Sequence, residues 1–183
     1  NEYSNELEKI FKIISDCENQ RLDIDKLIIG PVCHSGFQRL NWGPSLKKKL
    51  LNIAIRVDAN DQIGGGHFRR CLSLAEELKL RGHKILIISA SLPIKFCQTL
   101  EDLSLAYSLL DPFEQNKRQR ELQEKSEYGK WLSMPVNLDA EKTNRLLKSF
   151  NPHWVIFDNY ALDFQWVNQV KKNMARIPFL AID

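Results

Sequence analysis

Four short apolar runs set the fold class: "LNIAIRV" at Leu51–Val57, "HKILIIS" at His83–Ser89, "HWVIFD" at His153–Asp158 and "PFLAID" at Pro178–Asp183. Each is short for a helix and apolar at nearly consecutive positions, the pattern of a strand buried on both faces. "LAYSLL" at Leu105–Leu110 is a weaker strand of the same kind. Segments with helical spacing fall between them. Phe68–Arg81 places Leu72, Leu74, Ala75 and Leu78 inward, and Gly82 follows where a C-capping glycine belongs. Further helices are expected at Ile94–Glu101, Asp139–Ser149 and Phe164–Lys172. Strands alternating with helices imply right-handed βαβ units. The expected fold is therefore α/β and Rossmann-like, a parallel sheet with helices on both faces. Ligands of such sheets sit beyond the carboxyl ends of the strands, which directs attention to Asp58–His67, Ser89, Asp158–Tyr160 and Asp183.

Residues 1–50 read differently from residues 51–183. Leu7, Ile10, Phe11 and Ile14 predict a helix over Glu6–Ser15, "LDIDKLIIG" predicts a short strand ending at Gly30, and a turn-rich connection follows. This stretch is small for a domain. It is either the tail of a preceding module or an extension that pairs a strand with the main sheet, whereas 51–183 forms one domain. The charged segment Glu114–Lys130 is expected to be an exposed helix or long loop.

Composition narrows the function classes. The net charge is +3 and no basic stripe carries interleaved aromatics, so nucleic acid is not an expected partner; Lys47–Lys49 reads as a solvated run. Cys17, Cys33, Cys71 and Cys97 form no CxxC pair, which argues against a metal site or disulfide framework and for reduced thiols in a cytoplasmic setting. No apolar run is long enough to span a bilayer, and no signal peptide is visible. The chain begins with Asn1 and reads as a fragment. Oligomeric state leaves no trace in the sequence.

The chemistry concentrates in "VDANDQIGGGHFRRCLSLAEEL", Val57–Leu78. Gly64, Gly65 and Gly66 can serve a tight strand–helix turn, or can let a ligand approach a helix start that favours anions. The run is neither a dinucleotide-binding fingerprint, because position 69 is Arg, nor a phosphate-binding P-loop, because no Gly-Lys-Ser/Thr follows. His67 falls in the first helical turn, where the helix dipole favours the neutral ring, the form that accepts a proton. It serves either as a general base or as a packing residue. Cys71 reads as a buried small hydrophobe, His83 as a chain-turning residue, and Trp131, Trp154 and Trp166 as packing residues. His34 and His153 have no expected role.

Arg56, Asp58, Ile63, Gly64, Gly66, His67, Arg70, Cys71, Leu72, Leu74 and Ala75 fill a pattern Arg-x-Asp-x-x-x-x-Ile-Gly-x-Gly-His followed by Arg-Cys-Leu and Leu-Ala. A second block, "WVIFDNYALDFQW", supplies Asp158, Tyr160, Leu162, Asp163 and Trp166, and "GKWLSMPVNLDAEKT" precedes it. Over about Asn52–Asp183 these blocks resemble the UDP-2,4-diacetamido-2,4,6-trideoxy-β-L-altropyranose hydrolases of pseudaminic acid biosynthesis. The resemblance implies the N-terminal half of a GT-B fold, the two-lobed architecture of many glycosyltransferases. It implies inverting, metal-independent hydrolysis of a UDP-linked diacetamido sugar at its anomeric carbon, without a cofactor. His67 would activate the water. Gly64, Gly65 and Gly66 would leave room for the sugar and diphosphate, and Tyr160 would lie beside the sugar. Asp158 would orient Tyr160, His67 or the substrate, or cap the turn after its strand, and Asp58 would contact substrate or cap its turn. Family members continue past the position of Asp183 into a C-terminal half with most of the nucleotide contacts, so this chain alone is expected to be inactive or nearly so. Two other readings stay open: a GT-B glycosyltransferase using a UDP-sugar donor, and a non-catalytic sugar-nucleotide-binding module.

Overall fold

The computed structural model describes residues 12, 28–29, 50–114, 128–172, 174 and 176–182. Within them lies a six-stranded, wholly parallel sheet. In chain order the elements are β1 (Ile28–Ile29), β2 (Asn52–Val57), α1 (Gly66–Leu80), β3 (Lys84–Ser89), α2 (Ile94–Asp102), β4 (Ala106–Leu109), α3 (Val136–Phe150), β5 (Trp154–Asp158), α4 (Phe164–Lys171) and β6 (Phe179–Ile182). A 3₁₀ turn, Gly129–Trp131, precedes α3. The expected helix over Glu6–Ser15 lies outside the described residues except for Lys12, which is helical. His34, Cys17, Cys33, Lys47–Lys49, Asp183 and most of Glu114–Lys130 also lie outside them.

The strand order is β1-β6-β5-β2-β3-β4. The apolar runs become central strands because their side chains alternate between two cores. Ile53, Ile55 and Val57 of β2 join Ile85, Ile87 and Ile156 on one face, under Phe68, Cys71, Leu74, Ala75 and Leu78 of α1 and Leu100 of α2. Ala54, Ile88, Val155 and Phe157 face the other way, against Ala140 and Leu147 of α3 and Trp166 and Val170 of α4. Both faces are covered, as the sequence implies. The two residues of β1 pair with Ala181 and Ile182 of β6, so a segment from the first fifty residues forms an edge of the same sheet.

Helix ends follow local chemistry. Gly82, at φ +91°, ends α1: its N–H donates to the Lys79 carbonyl, and the His83 N–H donates to the Leu78 carbonyl. The α4 start is capped by Asp163, whose carboxylate accepts from the N–H groups of Gln165 and Trp166. His83 and His153 tie down the start of β2, their Nδ1 atoms accepting from the N–H groups of Leu51 and Asn52 at 3.2 and 2.9 Å.

The topology produces a switch point. From β2 the chain leads through α1 on one face to β3, whereas β5, the other neighbour of β2, is followed by α4 on the opposite face. Val57 and Asp158 are register partners, so the two strands end side by side. The loops leaving them diverge, and the crevice between is where a sheet of this kind takes its ligand.

Candidate active site

The chain after β2 is held by its own side chains before it reaches the glycines. Asn60 Oδ1 accepts from the N–H groups of Gln62 and Ile63, both at 2.9 Å, and the Gly64 N–H donates to the Asn60 carbonyl at 2.8 Å. Gly64 takes φ +75°, a conformation that suits glycine. Gly65 lies against the Phe96 ring, where a Cβ would come within 2.9 Å of Cζ. Gly66 opens α1, and a Cβ there would meet nothing within 4 Å.

His67 occupies the next position and turns toward the end of β5. Its Nδ1 lies 2.6 Å from Asp158 Oδ1. Asp158 is fully buried and His67 is 11 % exposed. With Nδ1–H donating to the carboxylate, Nε2 is the ring's lone-pair nitrogen. Arg70, one turn further along α1, grips the same carboxylate twice: Nε donates to Oδ2 at 2.5 Å and Nη2 to Oδ1 at 2.6 Å. Cys71 Sγ lies 3.6 Å from Oδ2. Burial alone would push the Asp158 carboxyl upward. The hydrogen bonds and charges of Arg70 and His67 outweigh it and hold the group below the ordinary carboxylate range. The Cys71 thiol is pushed well up, by burial first and by Asp158 second, and it stays protonated as a buried small residue should.

Aromatic rings surround His67. Tyr160 meets it edge to face at a centroid distance of 5.1 Å, and Trp131 lies at 5.9 Å. Tyr128 and Trp131 in turn lie 5.6 and 5.4 Å from Tyr160. Tyr160 keeps 42 % of its surface exposed, so this group forms an open wall beside the histidine. Trp131 packs against the core as expected, and it also borders the site.

The glycine turn faces a second, adjoining space. A cleft of about 390 Å³ is lined by Gly64, Gly65 and Gly66 together with Arg69, Lys95 and Phe96, among others. His67, Asp158 and Tyr160 do not line it. Of the residues singled out by sequence, His67, Asp158 and Tyr160 are thus brought together, and the three glycines line the neighbouring cleft.

Asp58 stands apart from both. It is 1 % exposed, and its oxygens are occupied by Arg56 Nη1 and Nη2 at 2.6 and 2.9 Å, Ser89 Oγ at 3.0 Å, the Ala90 N–H at 2.7 Å and Asn159 Nδ2 at 3.1 Å. It ties together the ends of β2, β3 and β5. Its carboxyl is also held below the usual range: burial acts upward, and the charge and hydrogen bonds of Arg56 prevail. Sequence reasoning gave no role to Arg70 or Tyr128. The signal for Arg70 is its three-residue spacing from His67, which places both on one face of α1; Tyr128 offers none. Among the described residues, no group of three or more His, Cys, Asp or Glu could hold a metal ion, and no helix is long and apolar enough to cross a membrane.

No family model and no curated protein matches this chain. Among solved structures it is similar to a glycosyltransferase from Rickettsia africae ESF-5, at 19% identity and TM-score 0.49, covering 73% of this chain and 30% of that one. It is also similar to the glycotransferase of kitacinnamycin, at 14% identity and TM-score 0.48, again covering 73% and 30%. The C-terminal domain of a hydrogenase from Pyrococcus furiosus is a third, at 14% identity and TM-score 0.45, covering 75% of this chain and 93% of that one. The chain thus spans 30% of each of the two sugar-transferring proteins. At such identities and TM-scores the likenesses assign no activity.

Proposed function

We propose that this chain is the base-bearing half of an inverting UDP-sugar hydrolase, the half that activates water against the anomeric carbon of a diacetamido-trideoxy sugar. The observation that carries this reading is the His67–Asp158 pair, 2.6 Å apart at the switch-point crevice and bordered by Tyr160 and Trp131. The resemblance of the two sequence blocks points to the same residues.

The chemistry follows from the pair. Asp158 accepts from Nδ1–H and so fixes the tautomer whose Nε2 can take a proton. A water bound at Nε2 attacks the anomeric carbon as its bond to the UDP oxygen breaks. The water's proton passes to Nε2, and UDP leaves with the bonding pair, inverting the centre. Gly64, Gly65 and Gly66 give the diphosphate and sugar close approach to the start of α1. Tyr160 offers a ring face and a hydroxyl to the sugar. Asp58 acts from behind, holding the strand ends on which the crevice is built. In this reading most uridine contacts belong to a C-terminal half, so the activity of the whole enzyme exceeds that of this chain alone.

The test is release of UDP from the UDP-sugar, followed with the anomer of the product by NMR, for this chain and for a longer chain carrying a second half. Water-dependent release with inversion, lost about 10²–10⁴-fold in His67→Asn while UDP-sugar binding persists, is the expected result. Release that requires an added sugar acceptor would replace the hydrolase with a glycosyltransferase. Binding without turnover in any form would reduce the protein to a sugar-nucleotide-binding module.

A further inference from the structure

Asp158 serves two partners on one helix, and this arrangement gives Arg70 a task. His67, Arg70 and Cys71 stand at positions i, i+3 and i+4 of α1, so their side chains emerge on one face and converge on a carboxylate 87 or more residues away. Oδ1 takes both His67 Nδ1 and Arg70 Nη2 at 2.6 Å, while Oδ2 takes Arg70 Nε at 2.5 Å. Arg70 Nη2 and His67 Nδ1 lie 3.1 Å apart. Both carry hydrogen when the ring donates to Asp158, so they are not bonded to each other but share one acceptor. A guanidinium bound through Nε and Nη2 fixes the plane of a carboxylate, and not merely its charge. Without that grip, Asp158 could rotate about its side-chain bonds and Oδ1 would wander from the ring.

We propose that Arg70 is a positioning residue for His67: by clamping Asp158 through two parallel hydrogen bonds it aims Oδ1, and through Oδ1 the ring and its Nε2. The catalytic consequence rests on the hydrolase reading above; the geometric claim does not. A residue that only neutralised Asp158 would be replaced adequately by lysine. A residue that aims it would not be, because an ammonium has no fork.

The experiment uses this chain with ¹⁵N-labelled histidine and arginine. In the unaltered protein, His67 should show the Nδ1–H tautomer, with an Nδ1 proton shifted to low field and close in space to an Arg70 Nη2 proton. Absence of that contact overturns the proposal without any variant. Arg70→Lys and Arg70→Gln should both average the two ring nitrogens, and in the complete enzyme they should lower kcat about 10–100-fold with little change in KM. An unchanged His67 spectrum in folded Arg70→Lys would show that charge alone suffices and would overturn the proposal. Failure of the hydrolase reading is seen separately, as a complete enzyme, carrying both halves, that shows the ring signals described and releases no UDP.

Discussion

A methyl group on Gly66 would touch nothing, whereas one on Gly64 would be forced into φ +75°. These two glycines therefore separate the structural from the ligand-binding explanation of the glycine turn. Gly66→Ala is expected to leave the fold intact or stabilise it by up to about 1 kcal/mol, since alanine loses less entropy in a helix. If a sugar nucleotide occupies the space beside Gly66, the same change should raise KM in the UDP-release assay. Gly64→Ala should cost about 1–2 kcal/mol in denaturant unfolding whatever the ligand does. The acidic residues add a pH dependence. Asp58 and Asp158 bind their protons less readily in the fold than in the unfolded chain. Their stabilisation is complete above the ordinary carboxylate value of about 3.8 and is lost as pH falls below it, through the folded values. The denaturant midpoint should therefore drop steeply below about pH 4. Asp158→Asn should have a lower midpoint at neutral pH and a shallower acid limb; an unchanged limb would mean that Asp158 is not the group titrating.

The helices and strands depend on punctuation of the same kind. Gly82 sits at φ +91° with the Leu50 Cδ2 atom 3.1 Å from where a Cβ would lie. Gly82→Ala should thus destabilise by about 1–2 kcal/mol, measured as a lowered unfolding midpoint with unchanged slope. That glycine was readable as a cap because it follows a helical apolar stripe, and the strands were readable because their apolar runs are short and dense. Boundaries shifted where local chemistry overruled periodicity. α1 begins at Gly66 rather than Phe68 because the glycine turn enters the helix directly, and α3 begins at Val136 rather than Asp139 because Pro135 sets its start. Strand order was not readable, since apolar runs carry no label of their neighbours. The pairing of His67 with Asp158 spans 91 residues and follows only once β5 lies beside β2. The burial of Asp58 was equally hidden. Its partners Arg56, Ser89 and Asn159 belong to three different strand ends, and nothing in the local sequence distinguishes a carboxylate that faces a crevice from one that supports it.

A buried polar network joins the sheet to α3 and α4, and this sets where that side of the molecule is most vulnerable. Arg56, fully buried on β2, lies between Asp58 and Asp139 of α3, donating to Asp139 through Nη2 at 2.5 Å. Asp139 also accepts from Trp166 Nε1 of α4 at 2.8 Å and from Thr143 Oγ1 at 3.3 Å. One guanidinium thus compensates two buried carboxylates that between them hold β2, β3, β5, α3 and α4. Removing the cation strands both anions in a medium of low polarity, whereas removing one neutral donor leaves the guanidinium beside both carboxylates. Arg56→Leu is accordingly expected to cost about 3–5 kcal/mol, a large share of a typical domain's stability of about 5–15 kcal/mol, and Trp166→Phe about 1–3 kcal/mol. Adding Asp139→Leu to Arg56→Leu should recover part of the loss, because one of the two uncompensated charges disappears. The comparison is a double-mutant cycle in denaturant. If the two losses simply add, Arg56 does not stabilise Asp139, and the network would be a set of independent contacts rather than the joint between the sheet and its α3–α4 layer.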